Sequence, residues 1–155
     1  MAEAVVLVAE DIEEDFILLA RAFAQADIRA RLQWARDGAE ARAYLQGDRE
    51  FADRVAHPLP VIILADIKMP AMNGFDLLTW IKAQPYLRRI PVVMLTGSDR
   101  NPDINRAYDL GASSYLVKPH GFEELQNMSE SLKNYWIVLN QRAETLHNEH
   151  TLAPP

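Results

Sequence analysis

Val61-Ile62-Ile63-Leu64-Ala65-Asp66 decides the fold: an unbroken apolar run that ends on a carboxylate. Continuous rather than alternating apolar character is what a strand covered on both faces shows, and it points to a parallel sheet held between layers of helix. Three further runs have the same character: Val5-Val6-Leu7-Val8, Val92-Val93-Met94-Leu95 and Tyr115-Leu116-Val117. A weaker strand is expected around Leu32-Gln33-Trp34, where apolar and polar residues alternate as they do nearer an edge.

Helix signals fill the gaps between these runs. Asp37-Gly38-Ala39-Glu40 reads as a capping box, and Asn101 reads as a cap placed ahead of Pro102. Asn73-Gly74-Phe75-Asp76 opens a helix whose apolar face includes Leu77, Leu78 and Ile81, while Ile17, Leu18 and Phe23 suit an earlier one. Strand and helix thus alternate five times, which implies right-handed crossovers and a doubly wound open α/β sheet. Gly47 to Pro60 is polar, carries Pro58 and Pro60 at its end, and is expected to form a long mobile loop.

The chain has 155 residues, enough for one domain with a proper core. That domain is expected over residues 1–146, with 147–155 as a flexible tail. No apolar run approaches the roughly 20 residues of a membrane helix, and Met1-Ala2-Glu3-Ala4 lacks the positive charge of a signal peptide, so cytoplasmic residence is the expectation. Cysteine is absent, which excludes thiolate metal sites and cysteine nucleophiles. A net charge of −6 without a Lys or Arg cluster argues against direct binding of nucleic acid or of an anionic membrane.

The chemistry-bearing residues stand just after the apolar runs, at the carboxyl edge where open α/β sheets bind their ligands. Glu10 and Asp11 follow the first run, Asp66 the third strand, Thr96 the fourth, and Lys118-Pro119 the fifth. Carboxylates brought together there would repel one another unless a cation offset their charge. A hard divalent ion such as magnesium, held by oxygen ligands beside a phosphate, fits that need.

This pattern resembles the response-regulator receiver family over roughly residues 4 to 140. The resemblance rests on Glu10-Asp11, Asp66 with Met69-Pro70 and Gly74, Thr96-Gly97, Gly111-Ala112 and Lys118-Pro119. It implies a five-stranded parallel sheet of order 2-1-3-4-5 with helices on both faces, flavodoxin/CheY-like. In that order the first and third strands are neighbours, and Glu10, Asp11 and Asp66 converge. The resemblance further implies that Asp66 accepts a phosphoryl group from a sensor histidine kinase. Asp11, Asp66 and the main-chain carbonyl of Lys68 would bind Mg2+ (or Mn2+) directly, with Glu10 acting through water. Lys118 and Thr96 would contact the phosphoryl oxygens, and Tyr115 would pair with Thr96 as the switch. These roles suit a reaction that needs in-line positioning and neutralised oxygen charge.

Glu10 stands where the family more often has Asp, and Ala65 where a larger apolar residue is common. Lys68 is placed to pair with a site carboxylate when no metal is bound. No output domain is recognisable after Lys118, so the output is expected to be binding of an unknown downstream protein. The chain is similar in this respect to single-domain regulators that accompany bacterial phytochrome kinases. Two other readings use the same residues. A metal-dependent phosphohydrolase could use Asp66 as nucleophile, but Lys68 occupies the usual position of its second carboxylate. A flavodoxin-like cofactor binder would need a hydroxyl- and glycine-rich first turn, and here that turn is acidic. His57, His120, His147 and His150 are assigned to no metal.

A last helix is expected from about Phe122 to beyond Leu139. Leu125, Met128, Leu132, Trp136 and Leu139 form a stripe for the core, whereas Tyr135, Ile137 and Val138 lie off it. Those three are the expected interface of a homodimer, because an apolar patch of that kind favours burial against a second copy.

Overall fold

The computed structural model describes residues 3–25 and 29–144. The tail expected over 147–155 lies outside the described residues. Five strands, β1 (Ala4–Ala9), β2 (Ala30–Ala35), β3 (Ile62–Ala65), β4 (Val92–Thr96) and β5 (Ser114–Val117), form one sheet in the order β2-β1-β3-β4-β5. All four pairings are parallel. The helices are α1 (Glu13–Ala24), α2 (Gly38–Gln46), α3 (Gly74–Ala83), α4 (Asn101–Asp109) and α5 (Phe122–Lys133). None is long and apolar enough to cross a membrane.

The pleat of each strand sorts its side chains into two cores. Leu7, Ile63, Ala65, Val92 and Met94 pack with Tyr44, Leu45, Leu77, Leu78, Ile81 and Ala107, under α2, α3 and α4. Val6, Val8, Ile62, Leu64, Val93 and Leu95 pack with Leu19, Phe23 and Leu132, under α1 and α5. This two-sided burial is why the central strands read as unbroken apolar runs. β2, an edge strand, is only partly buried until Ala35.

Two of the three helix caps expected from the sequence form. Asp37 accepts from the Glu40 N–H at 2.7 Å, and Asn73 accepts from the Asp76 N–H at 2.9 Å. Asn101 is no cap: α4 begins with it, Arg100 occupies the cap position, and Pro102 lies within the first turn. The Ser98 hydroxyl instead bonds the Asp103 carboxylate in that turn at 2.6 Å.

The 47–60 segment is better anchored than its composition suggests. Arg49–Phe51 forms a short 3-10 turn that buries Phe51. The Arg54 guanidinium donates to the carbonyls of Tyr44, Leu45 and His57 at 2.7–3.1 Å, adding to the Gly47 N–H on Tyr44 O at the end of α2 and tying the loop to that helix. The Tyr44 hydroxyl in turn donates to Pro58 O at 2.7 Å.

The last helix departs from expectation. α5 ends at Lys133, and Asn134–Leu139 continues as a π-turn closed by the Asn140 N–H bonding Tyr135 O at 2.7 Å. Wider turns carry an extra residue each, so the stripe shifts phase. Leu125, Met128, Leu132 and Trp136 keep their places on the sheet, but Ile137 joins them there and Leu139 is 60% exposed. Tyr135 and Val138 are exposed as expected.

Candidate functional site

The same pleat that divides the core aims the site. In β1, Val6 and Val8 face α1 and α5; in β3, Ile62 and Leu64 do. Two residues further on, Glu10 and Asp66 point to that side, where Lys118 arrives from β5 beyond the partly buried Leu116. Asp66 is held by its N–H on Ala9 O at 3.0 Å, and its Oδ1 accepts the Ile67 N–H at 2.7 Å. Gly74, at the start of α3, seats against this turn: a Cβ there would lie 2.1 Å from the Asp66 carbonyl oxygen. A side chain at 74 would therefore displace the backbone that carries Asp66.

Glu10, Asp11 and Asp66 each place a carboxylate oxygen within 4.8 Å of the others. Glu10 and Asp66 are buried and Asp11 is exposed. Glu10 Oε1 accepts the Ile12 N–H at 3.0 Å, and the Trp34 indole N–H bonds Glu10 O at 2.7 Å. Burial pushes the Glu10 carboxyl up to about 7, against the lowering pull of Lys118 and the Ile12 N–H. Such an all-oxygen, mutually repelling set fits a hard divalent cation.

Lys118 supplies the balancing charge. Its Nζ stands 2.7 Å from Asp66 Oδ2, 2.8 Å from Glu10 Oε2 and 2.8 Å from Asp15 Oδ2. Burial alone would lower its pKa, but the bonds to Asp15, Asp66 and Glu10 outweigh it and hold the ammonium above the ordinary lysine range. Lys118 is thus the cation that pairs with the site carboxylates. Lys68 is not: its side chain is exposed and forms no ion pair among the described residues.

Thr96 is buried at the end of β4, opposite Val117 and one residue before Lys118 in register. By parity it belongs with Val92 and Met94, on the α2–α4 face, which Tyr115 also packs against. The Tyr115 hydroxyl donates to Ser98 O at 2.8 Å, so its hydrogen-bond partner is the β4–α4 loop rather than Thr96. Burial pushes that hydroxyl's pKa up. Asp15 is the site residue that motif reading missed. It sits in the acidic first turn of α1, Glu13-Glu14-Asp15, which reads as ordinary dipole compensation. Its spacing of four from Asp11 was the available signal.

Residues 6–130 match the response regulator receiver domain family, and the chain belongs to that family. Among its relatives, the probable methanogenesis regulatory protein FilR2 of Methanothrix harundinacea is 36% identical over 137 residues, covering 88% of this chain and 86% of that protein. The response regulator Rcp1 of Synechocystis is 34% identical over 133 residues, 86% of this chain and 88% of that one. Its Mn(2+)-bound crystal structure has a TM-score of 0.81 at 32% identity, covering 90% of this chain and 99% of Rcp1. The phosphorylated cyanobacterial phytochrome response regulator RcpA has a TM-score of 0.85 at 31% identity, covering 92% of this chain and all of that chain, 100%.

Proposed function

We propose that Asp66 is the phosphoacceptor. One of its carboxylate oxygens attacks the phosphorus of a kinase phosphohistidine, the P–N bond breaks, and the imidazole leaves with the electron pair and is reprotonated. The observation that carries this is the buried Asp66 carboxylate, 2.7 Å from the Lys118 ammonium and beside two further acidic side chains. Lys118 stabilises the equatorial phosphoryl charge and Thr96 donates a hydroxyl to it. Asp11, Asp66 and the Lys68 carbonyl would hold Mg2+, with Glu10 as an outer ligand. The ion, when bound, neutralises and orients phosphoryl oxygens.

The chemistry ends at self-phosphorylation and autodephosphorylation, with no other substrate turned over. The likeness to RcpA, a phytochrome response regulator, supports a phytochrome-type histidine kinase as donor, and the reaction is placed in the cytoplasm. Acetyl phosphate is expected to add a phosphoryl mass to the intact protein with magnesium present and not in excess chelator. Equal labelling in both conditions would refute the metal-dependent reading.

Phosphorylation then moves Thr96 and Tyr115 together, the two standing on the neighbouring strands β4 and β5, and alters the surface offered to a downstream protein or a second copy. The dimer surface includes Tyr135, Val138 and Leu139, which are 52%, 54% and 60% exposed; Ile137 drops out of it because it packs inward. Wild type is expected to sediment as a dimer at tens of micromolar, and a Val138→Glu, Leu139→Glu variant as a monomer. Identical sedimentation of the two would remove this surface.

A further inference from the structure

An ammonium has three N–H donors, and here Lys118 faces three carboxylates, hydrogen-bonded to Asp66 and Asp15 and ion-paired with Glu10. Lys118 Nζ meets Asp66 at 2.7 Å, Glu10 at 2.8 Å and Asp15 at 2.8 Å. Phosphorylation removes the carboxylate charge of Asp66 and frees the donor that faced it, so a phosphoryl group gains a second donor from Lys118 only if Glu10 or Asp15 gives way.

Glu10 and Asp15 are not equally able to do so. The Glu10 and Asp66 side chains are 6% and 8% exposed, and they belong to the acidic trio. The Asp15 side chain is 37% exposed and lies outside that trio. An exposed carboxylate is rehydrated when released, so its bond to Lys118 is the least costly of the three to break. Asp15 also comes from α1 rather than from a strand end, and so can move without disturbing the sheet edge.

We propose that Asp15 is a positioning residue that competes with the phosphoryl oxygens on Asp66 for Lys118, and so limits how firmly the phosphorylated form is held. This rests on the reading of Asp66 as acceptor. With no phosphoryl group present, Asp15 keeps the ammonium at the sheet edge. Once the group has arrived, Lys118 exchanges Asp15 for a phosphoryl oxygen, and the residual pull of Asp15 weakens that contact. Asp15 therefore acts through Lys118 and touches no reacting atom.

Fluoroberyllate, a phosphoryl mimic, measures this exchange without turnover. Titrated at saturating magnesium, Asp15→Asn and Asp15→Ala are expected to bind it about two- to fivefold more tightly than wild type, the range expected for losing one partly exposed ion pair. Glu14→Gln removes the same formal charge from the same turn, at an exposed side chain, and is expected to match wild type. Magnesium affinity without the mimic, read from the fluorescence of Trp34 on Glu10 O, should change less than the fluoroberyllate affinity. A general role of Asp15 in folding would not produce that separation. Unchanged or weaker fluoroberyllate binding in both Asp15 variants overturns the proposal, and so does an equal gain in Glu14→Gln. An Asp66→Asn variant that binds the mimic like wild type would instead overturn the acceptor assignment, and the proposal with it.

Discussion

Asp66→Asn is expected to abolish phosphoryl incorporation from acetyl phosphate while the protein stays folded. An amide has no anionic oxygen with which to attack phosphorus, so the loss is complete rather than graded. The structural cost is small for a specific reason. Asp66 accepts twice, from the Ile67 N–H on Oδ1 and from Lys118 on Oδ2. Asn can satisfy only one of these donors, which costs about 1–2 kcal/mol. Against this, the Asp66 charge is one of the influences that raise the Glu10 carboxyl, and removing it relieves that repulsion. The net change in unfolding free energy is expected to stay within about 1 kcal/mol. Intact-mass labelling and a urea titration of the same sample check both halves, and residual labelling would mean that another side chain accepts the group.

Lys118→Ala is expected to destabilise the metal-free protein by roughly 2–4 kcal/mol, since truncating one partner of a buried ion pair strands the other. The figure is set below the upper range because Lys118 is 21% exposed and Asp15 more so. Glu10 and Asp66 would be left facing each other without a counter-charge, and part of the cost would fall by proton uptake on Glu10. Magnesium should restore much of the loss by supplying the missing positive charge to the same carboxylates. Thermal or urea unfolding in chelator and in magnesium measures the difference. Equal destabilisation in both conditions would show that Lys118 acts through packing rather than charge.

The sheet was legible because burial on both faces marks β1, β3 and β4 as unbroken apolar runs, while β5, at the other edge, is only half-buried; each of the four runs is closed by a polar residue. Glu10, Asp11, Asp66, Thr96 and Lys118 all fell at the carboxyl edge for that reason. The strand order itself came through family resemblance, since alternation alone does not rank the strands. Asp15 was hidden because an acid in a helix's first turn already has an adequate local explanation. The inward turn of Ile137 was hidden for a geometric reason. Helical periodicity assumes 3.6 residues per turn throughout, and a π-turn over Asn134–Leu139 breaks that count where nothing in the composition announces it. The Arg54 anchor was missed because polar composition predicts solvation, whereas this guanidinium is directed to backbone carbonyls.

The pleat that sorts the core also divides labour between the two sides of the sheet. Glu10, Asp66 and Lys118 meet on the side of α1 and α5, while Tyr115 packs on the side of α2, α3 and α4. On the function proposed above, a charge gained at Asp66 would therefore have to be felt across the sheet edge at Tyr115, and Thr96, buried at the end of β4, is placed where that coupling would run.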